Sequence, residues 1–171
     1  YLAICDDKYI PGFRKLTDAI HEAGGKAGIQ LWQGSLAVGS DKTAQILVAS
    51  DMPVSAEVIL PGITIEEIKE VVASYGAAAK RAYEAGFDCI EIHAGHNYLP
   101  HSFLSGGINR RTDDYGGSFE NRAKFPLEVI KAVRDNIPGT MPIFMRIDAH
   151  DDYLENGLTI EEVIKFCNLA K

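Results

Sequence analysis

Cysteine is scarce in this chain of 171 residues, which has only Cys5, Cys89 and Cys167. The number is odd, the three lie far apart and no CxxC pair occurs. A disulfide framework and a zinc knuckle are therefore disfavoured, and a reducing cytoplasm is the expected compartment. Basic charge is in deficit too, with 17 Lys and Arg against 24 Asp and Glu, for a net charge of −7. Nucleic acid and membrane surfaces are poor partners for such a chain, because both are polyanionic. A local basic pocket for a single phosphate remains open. No apolar run is long enough to span a bilayer, and Tyr1 opens no basic-then-apolar leader pattern.

Hydrophobic residues make up 46% of the chain, enough for one domain with a substantial core. Ile10 to Ala23 reads as an amphipathic helix with Phe13, Leu16, Ile20 and Ala23 on one side, stopped by Gly24–Gly25. "KAGIQLW" reads as a buried strand ending near Gln30. Residues 33–63 carry Pro53, Pro61 and little periodicity, and read as a long loop. "TIEE" at Thr64–Glu67 is a capping-box pattern opening a helix that runs to about Glu84. "FDCIEI" is the next strand. A second long loop leads to Ser118, which can cap a helix running to about Arg134. "PIFMRI" is a third strand, Asn156–Gly157 is a turn, and "TIEE" recurs at Thr159–Glu162 to open a further helix.

About three strands thus alternate with four helices, and near-continuous apolar strands imply a parallel sheet covered by helices. A doubly wound sheet and a (β/α)8 TIM barrel compete. A barrel takes about 250 residues, so the barrel reading makes residues 1–171 an incomplete middle segment of one.

In either architecture the chemistry collects at the C-terminal ends of the strands. The three strands end on Gln30, His93 and Arg146, an amide, an imidazole and a guanidinium on one rim. Gln30 and Arg146 suit a flat, carbonyl-rich heterocycle that gains negative charge. His93 and His96 can aim two N–H groups at one oxygen, and the Tyr98 phenol is a proton donor at neutral pH. HxxH is also a metal-ligand spacing, with Asp148, His150 and Asp151 as further ligands, so a metal-dependent hydrolase stays open beside the oxyanion reading. Duller roles suit the rest: a packing or helix-surface role for His101, a structural one for His21, a core or pocket wall for Trp32, strand packing for Cys89 and a solvated helix entry for Asp6–Asp7.

"EIHAGHNYLPHSFLS" followed by "NRRTDDYGGSFENR" resembles the old yellow enzyme family of FMN-dependent ene-reductases. "HEAGGK", "QLW", "AYEAGFDCIEIH" and "MRI" match it in the same order. The resemblance covers nearly the whole chain and implies a (β/α)8 barrel of which this is the middle. It implies FMN and NAD(P)H as cofactors, with Gln30 and Arg146 on the flavin ring. His93 and His96 would then bind the carbonyl oxygen of an enone or enoate, and Tyr98 would protonate the α-carbon. It implies no metal, and it leaves the phosphate-binding part of the FMN site outside residues 1–171. Asn109, Arg111, Asp113, Tyr115 and Glu120–Arg122 are expected to hold a loop together, with a tight turn at Gly116–Gly117. The chain departs from the family at "QGS" (Gln33–Ser35), at Asn97 in place of glycine, and at Pro100. Asparagine tolerates the left-handed backbone that a glycine there implies. A non-catalytic fragment that associates through open sheet edges, giving a homo-oligomer, is the reading from a different class.

Overall fold

The computed structural model describes residues 2–33 and 47–171. Asp6 accepts a hydrogen bond from the Lys8 N–H and opens a single 3-10 turn at Asp7–Tyr9, a solvated entry as expected. Helix α1 (Ile10–Glu22) follows, with Pro11 in its first turn. Its buried stripe differs from the expected one. Leu16 is exposed, and Thr17 lies inward beside Phe13 with its hydroxyl bonded to the Ala85 carbonyl at 2.6 Å. A hydroxyl that finds a carbonyl can be buried without penalty, so polarity alone misplaces the stripe.

Strand β1 (Gly28–Leu31), strand β4 (Cys89–Ala94) and strand β5 (Ile143–Ile147) form one parallel sheet in the order β1-β4-β5. Between β1 and the next long helix, the stretch expected as a loop contains a small antiparallel pair, β2 (Met52–Pro53) with β3 (Ile59–Leu60). Residues 34–46, part of the same expected loop, lie outside the described residues.

Helix α2 (Ile65–Glu84) has the full capping box: the Thr64 hydroxyl accepts from the Glu67 N–H, and the Glu67 carboxylate accepts from the Thr64 N–H. The second "TIEE", at helix α5 (Ile160–Leu169), makes only half of it. Thr159 accepts from the Glu162 N–H, while the Glu162 carboxylate turns away to Arg122. Helix α4 (Phe119–Asp135) starts after Ser118, which caps the Asn121 N–H. Helix α3 (Leu99–Leu104) occupies part of the second expected loop. Pro100, expected to stiffen a short helix here, sits in its first turn, where its missing N–H has no partner to lose.

Helices α2 and α4 pack on each other and cover one face of the sheet, and α1 packs on α2. Leu31, Ile90 and Ile92 point to that side and are buried with Ile68, Ala79, Phe125, Val129 and Val133. Each such aliphatic or aromatic side chain contributes about 1.5–3 kcal/mol on burial. The other face is unlike a continuous apolar run. Gln30, Glu91, His93, Phe144 and Arg146 alternate with the buried positions, and the register pairs Gln30 with Glu91 and His93 with Arg146. Paired residues of a parallel sheet project to one side, so this face carries the polar set. Phe144 on it is 55% exposed.

Candidate active site

Gln30, His93 and Arg146 are each the penultimate residue of their strand. The expected rim is therefore present, but in two levels. His93 and Arg146 share one level, and Gln30 lies one pleat below, where its amide donates to the Glu91 carboxylate. Glu91 lies beside the candidate site residues and was not singled out from the sequence. Its signal was there, a charged residue two positions before His93 on the same side of an otherwise apolar strand.

His93, His96 and Tyr98 come together. The His93 ring lies 5.1 Å from His96 and 4.7 Å from Tyr98, both edge to face. Trp32 tilts against Tyr98 at 4.9 Å and forms the wall of the cluster. The Gly95 N–H points at Nδ1 of His93 at 3.4 Å. That contact favours Nδ1 as acceptor, leaving Nε2–H as the free donor. His93 is 5% exposed. Burial lowers its pKa, and the nearby His96 and Arg146 lower it further, so the ring stays neutral. An Nη of Arg146 lies 3.5 Å from Nε2 of His96. Arginine only donates, so His96 carries its proton on Nδ1. Two imidazoles and one phenol thus share a pocket edge, and these contacts leave Nε2–H of His93 and Nδ1–H of His96 free to donate.

The backbone that presents them is unusual. His96 has φ +56° and Asn97 φ +61°. Asparagine at such an angle was expected, histidine was not. The His96 N–H donates to Asp148 at 2.8 Å, and the Asn97 N–H to Nδ1 of His101 at 3.0 Å. His101 is thus no helix-surface residue. It is fully buried, and its Nε2 lies 3.0 Å from an Asp151 oxygen. Among the described residues, the ligating atoms close enough to share a metal belong to His101, Asp148 and Asp151, without His93, His96 or His150. His150 turns to Asp152 instead. His21 is structural as expected, bonded to Asp88 at 2.7 Å.

The loop after α3 is scaffold. Asn109 donates to the carbonyls of Phe103 and Tyr115. Arg111 reaches the carbonyls of Ala49 and Ile63 and the Asp113 carboxylate, and Arg122 reaches the Leu104 carbonyl and Glu162. The Arg111 bonds hold the Asp113 carboxyl below its ordinary pKa. Gly117 has φ +77°, and a Cβ on Gly116 would collide with the Arg111 carbonyl oxygen. The tight turn expected at these glycines is present.

A flavin was implied by the motifs, and the donor set of the open face fits one. Arg146 is exposed and, among the described residues, has no carboxylate partner. Gln30 stands two strands away, roughly 10 Å across the sheet. A fixed cation at one end and an amide at the other suit a flat, electron-accepting ring with carbonyl edges.

The model of the NADH:flavin oxidoreductase / NADH oxidase family matches residues 1–171. NADPH dehydrogenases of Bacillus velezensis and Bacillus subtilis (strain 168) are each 43% identical to this chain, over 99% of it and 49% of their own length. The chain therefore spans about half the length of the curated relatives it matches. Among solved structures, morphinone reductase in complex with tetrahydroNAD superposes with a TM-score of 0.77 at 32% identity, over 94% of this chain and 49% of that one. A 2-naphthoyl-CoA reductase complex gives 0.85 at 30% identity, over 99% of this chain and 28% of that one. These neighbours are TIM-barrel flavoenzymes, and the three parallel strands with their helices are part of such a barrel.

Proposed function

This chain belongs to the NADH:flavin oxidoreductase / NADH oxidase family, and from that premise we propose that its parent protein uses FMN and NAD(P)H to reduce the C=C bond of an α,β-unsaturated carbonyl compound. Residues 1–171 are the middle of its barrel, with further strands and the phosphate-binding part of the FMN site outside them. The carrying observation is the His93–His96–Tyr98 cluster, with a fixed N–H on each imidazole.

Gln30 and Arg146 hold the ring system of FMN, which supplies the hydride chemistry when bound. His93 and His96 donate to the substrate carbonyl oxygen and stabilise the charge that gathers there. A neutral His93 keeps its proton through this, because it acts as a hydrogen-bond donor and not as an acid. Tyr98, on the edge of the same cluster, delivers the proton to the α-carbon from its hydroxyl. Trp32 excludes water from one side. The morphinone reductase likeness supports this substrate class. No helix among the described residues is long and apolar enough to cross a membrane. All three cysteines are unpaired, which supports the cytoplasmic location.

The test is binding of phenol, an enolate-oxygen mimic, and turnover of a simple enone by the full-length protein. His93→Ala and His96→Ala should each weaken phenol binding and raise the hydride-transfer barrier by about 3 kcal/mol. Unchanged affinity and turnover in both variants would remove the oxyanion role and this reading with it.

A further inference from the structure

Three consecutive residues, His96, Asn97 and Tyr98, carry or frame the proposed substrate contacts, and the first two are in the left-handed region. For an L-residue that conformation costs roughly 1–2 kcal/mol, less for asparagine. A turn of this kind persists only where its surroundings over-determine it.

Here they do, from two directions. The β5–α5 connection supplies Asp148, whose Oδ2 accepts the His96 N–H at 2.8 Å. It comes so close that a Cβ on Gly95 would lie 2.5 Å from the other carboxylate oxygen. Helix α3 supplies His101, whose Nδ1 accepts the Asn97 N–H at 3.0 Å. It also supplies Ser102, whose hydroxyl donates to the Asn97 carbonyl at 2.7 Å. His101 is itself fixed: its Nε2 meets Asp151, and Asp151 also accepts from the Ser105 hydroxyl at 2.6 Å and the Leu158 N–H at 3.1 Å. The three groups close enough to share a metal are thus already engaged by one another and by backbone N–H groups.

We propose that Asp148 and His101 are positioning residues, which hold the left-handed His96–Asn97 turn and so set where the His96 imidazole and the Tyr98 hydroxyl stand. The proposal rests on the functional reading above for what those two groups do, but not for the clamp itself. Neither Asp148 nor His101 is assigned a contact with substrate. Each acts through a backbone N–H. The consequence is specific: the clamp needs an acceptor at position 148, not a negative charge.

The experiment uses the full-length, flavin-loaded protein, with phenol as the probe. Asp148→Ala should weaken phenol binding by about tenfold, the worth of one lost or misdirected hydrogen bond. Asp148→Asn retains an acceptor oxygen and should bind phenol within about twofold of the unaltered protein. A general loss of stability would not be repaired in this pattern. Equal loss in both variants, or none in either, overturns the proposal. His96→Ala in the same assay separates the two claims. If it leaves phenol binding unchanged, the functional reading fails, and the clamp is then judged by amide exchange alone. In the unaltered protein the His96 and Asn97 amides should exchange at least roughly tenfold more slowly than in an unstructured peptide, although both residues are exposed. Fast exchange at either amide overturns the clamp, whether or not any Asp148 variant folds.

Discussion

Two loops follow β4, and they meet the same backbone problem in opposite ways. The scaffold loop reaches the left-handed region at Gly117, φ +77°, where no Cβ has to be accommodated. The turn at the site reaches it at His96 and Asn97, φ +56° and +61°, where one does. The scaffold removes the strain by residue choice. The site keeps the strain and holds it with side chains brought from the end of β5 and from α3. Strain is tolerated where a particular side chain is needed at that point of the chain, and avoided where only a change of direction is needed.

The largest expected effect breaks the comparison on the functional side. Tyr98→Phe keeps the ring against Trp32 and His93 and removes one hydroxyl. In the full-length protein, alkene reduction should slow by roughly 10²–10⁴-fold, while reduction of the flavin by nicotinamide stays nearly intact. Rapid-mixing absorbance at the flavin band follows each half-reaction alone. Equal slowing of both would make Tyr98 a packing residue.

Next comes the scaffold side. Gly116→Ala drives a Cβ into the Arg111 carbonyl oxygen. Overpacking of this kind should destabilise the full-length protein by about 1–3 kcal/mol, seen as a lower denaturation midpoint. An unchanged midpoint would show that the loop can move aside.

Opposite signs sharpen the contrast. Gly117→Ala adds a Cβ where nothing lies within 4 Å, yet at φ +77°, so it should lower stability by about 1 kcal/mol through backbone strain alone. Asn97→Gly relieves strain and should not lower stability; a gain of up to about 1 kcal/mol is expected. Denaturant midpoints of the two variants that move in the same direction would contradict the account of where strain is stored.

The smallest effect lies along the pH axis. His93 has a lowered pKa in the fold, so below its ordinary value of about 6.5 the unfolded chain takes up a proton that the folded chain refuses. Its contribution is intact above that pH and is lost as pH falls toward the lowered value. Asp113 also has a lowered pKa, and its contribution is present above the ordinary carboxylate value of about 3.9 and lost only below it. Falling pH should therefore unsettle the site turn first. His93→Gln should flatten the stability profile just below pH 6.5 and leave the acid limb in place; thermal midpoints across that range check this.

Much of this arrangement was legible because it is local. Capping residues, glycine stops and apolar strands indicated the order of the main elements, and the end of the apolar run of β4 placed His93. The Asn97 backbone was legible because asparagine is one of the few residues at ease there. What was hidden depends on distant partners. Glu91 matters through register with Gln30, and Asp148 through an N–H 52 positions away. For His101 packing and the helix surface both stayed open, because the Asp151 carboxylate that allows it to be buried lies 50 positions away. Thr17 misled for the same reason.

The sheet order β1-β4-β5 also has a kinetic meaning. Gln30 meets a residue 61 positions further on, and Arg146 meets one 50 positions back. Closing such separations is entropically slow, and parallel strands offer no hairpin shortcut. The α3–α4 region can form early from near neighbours, whereas the pocket edge assembles only when both long closures are complete. Ligand binding should thus appear in the last phase of refolding, after most helical signal has returned.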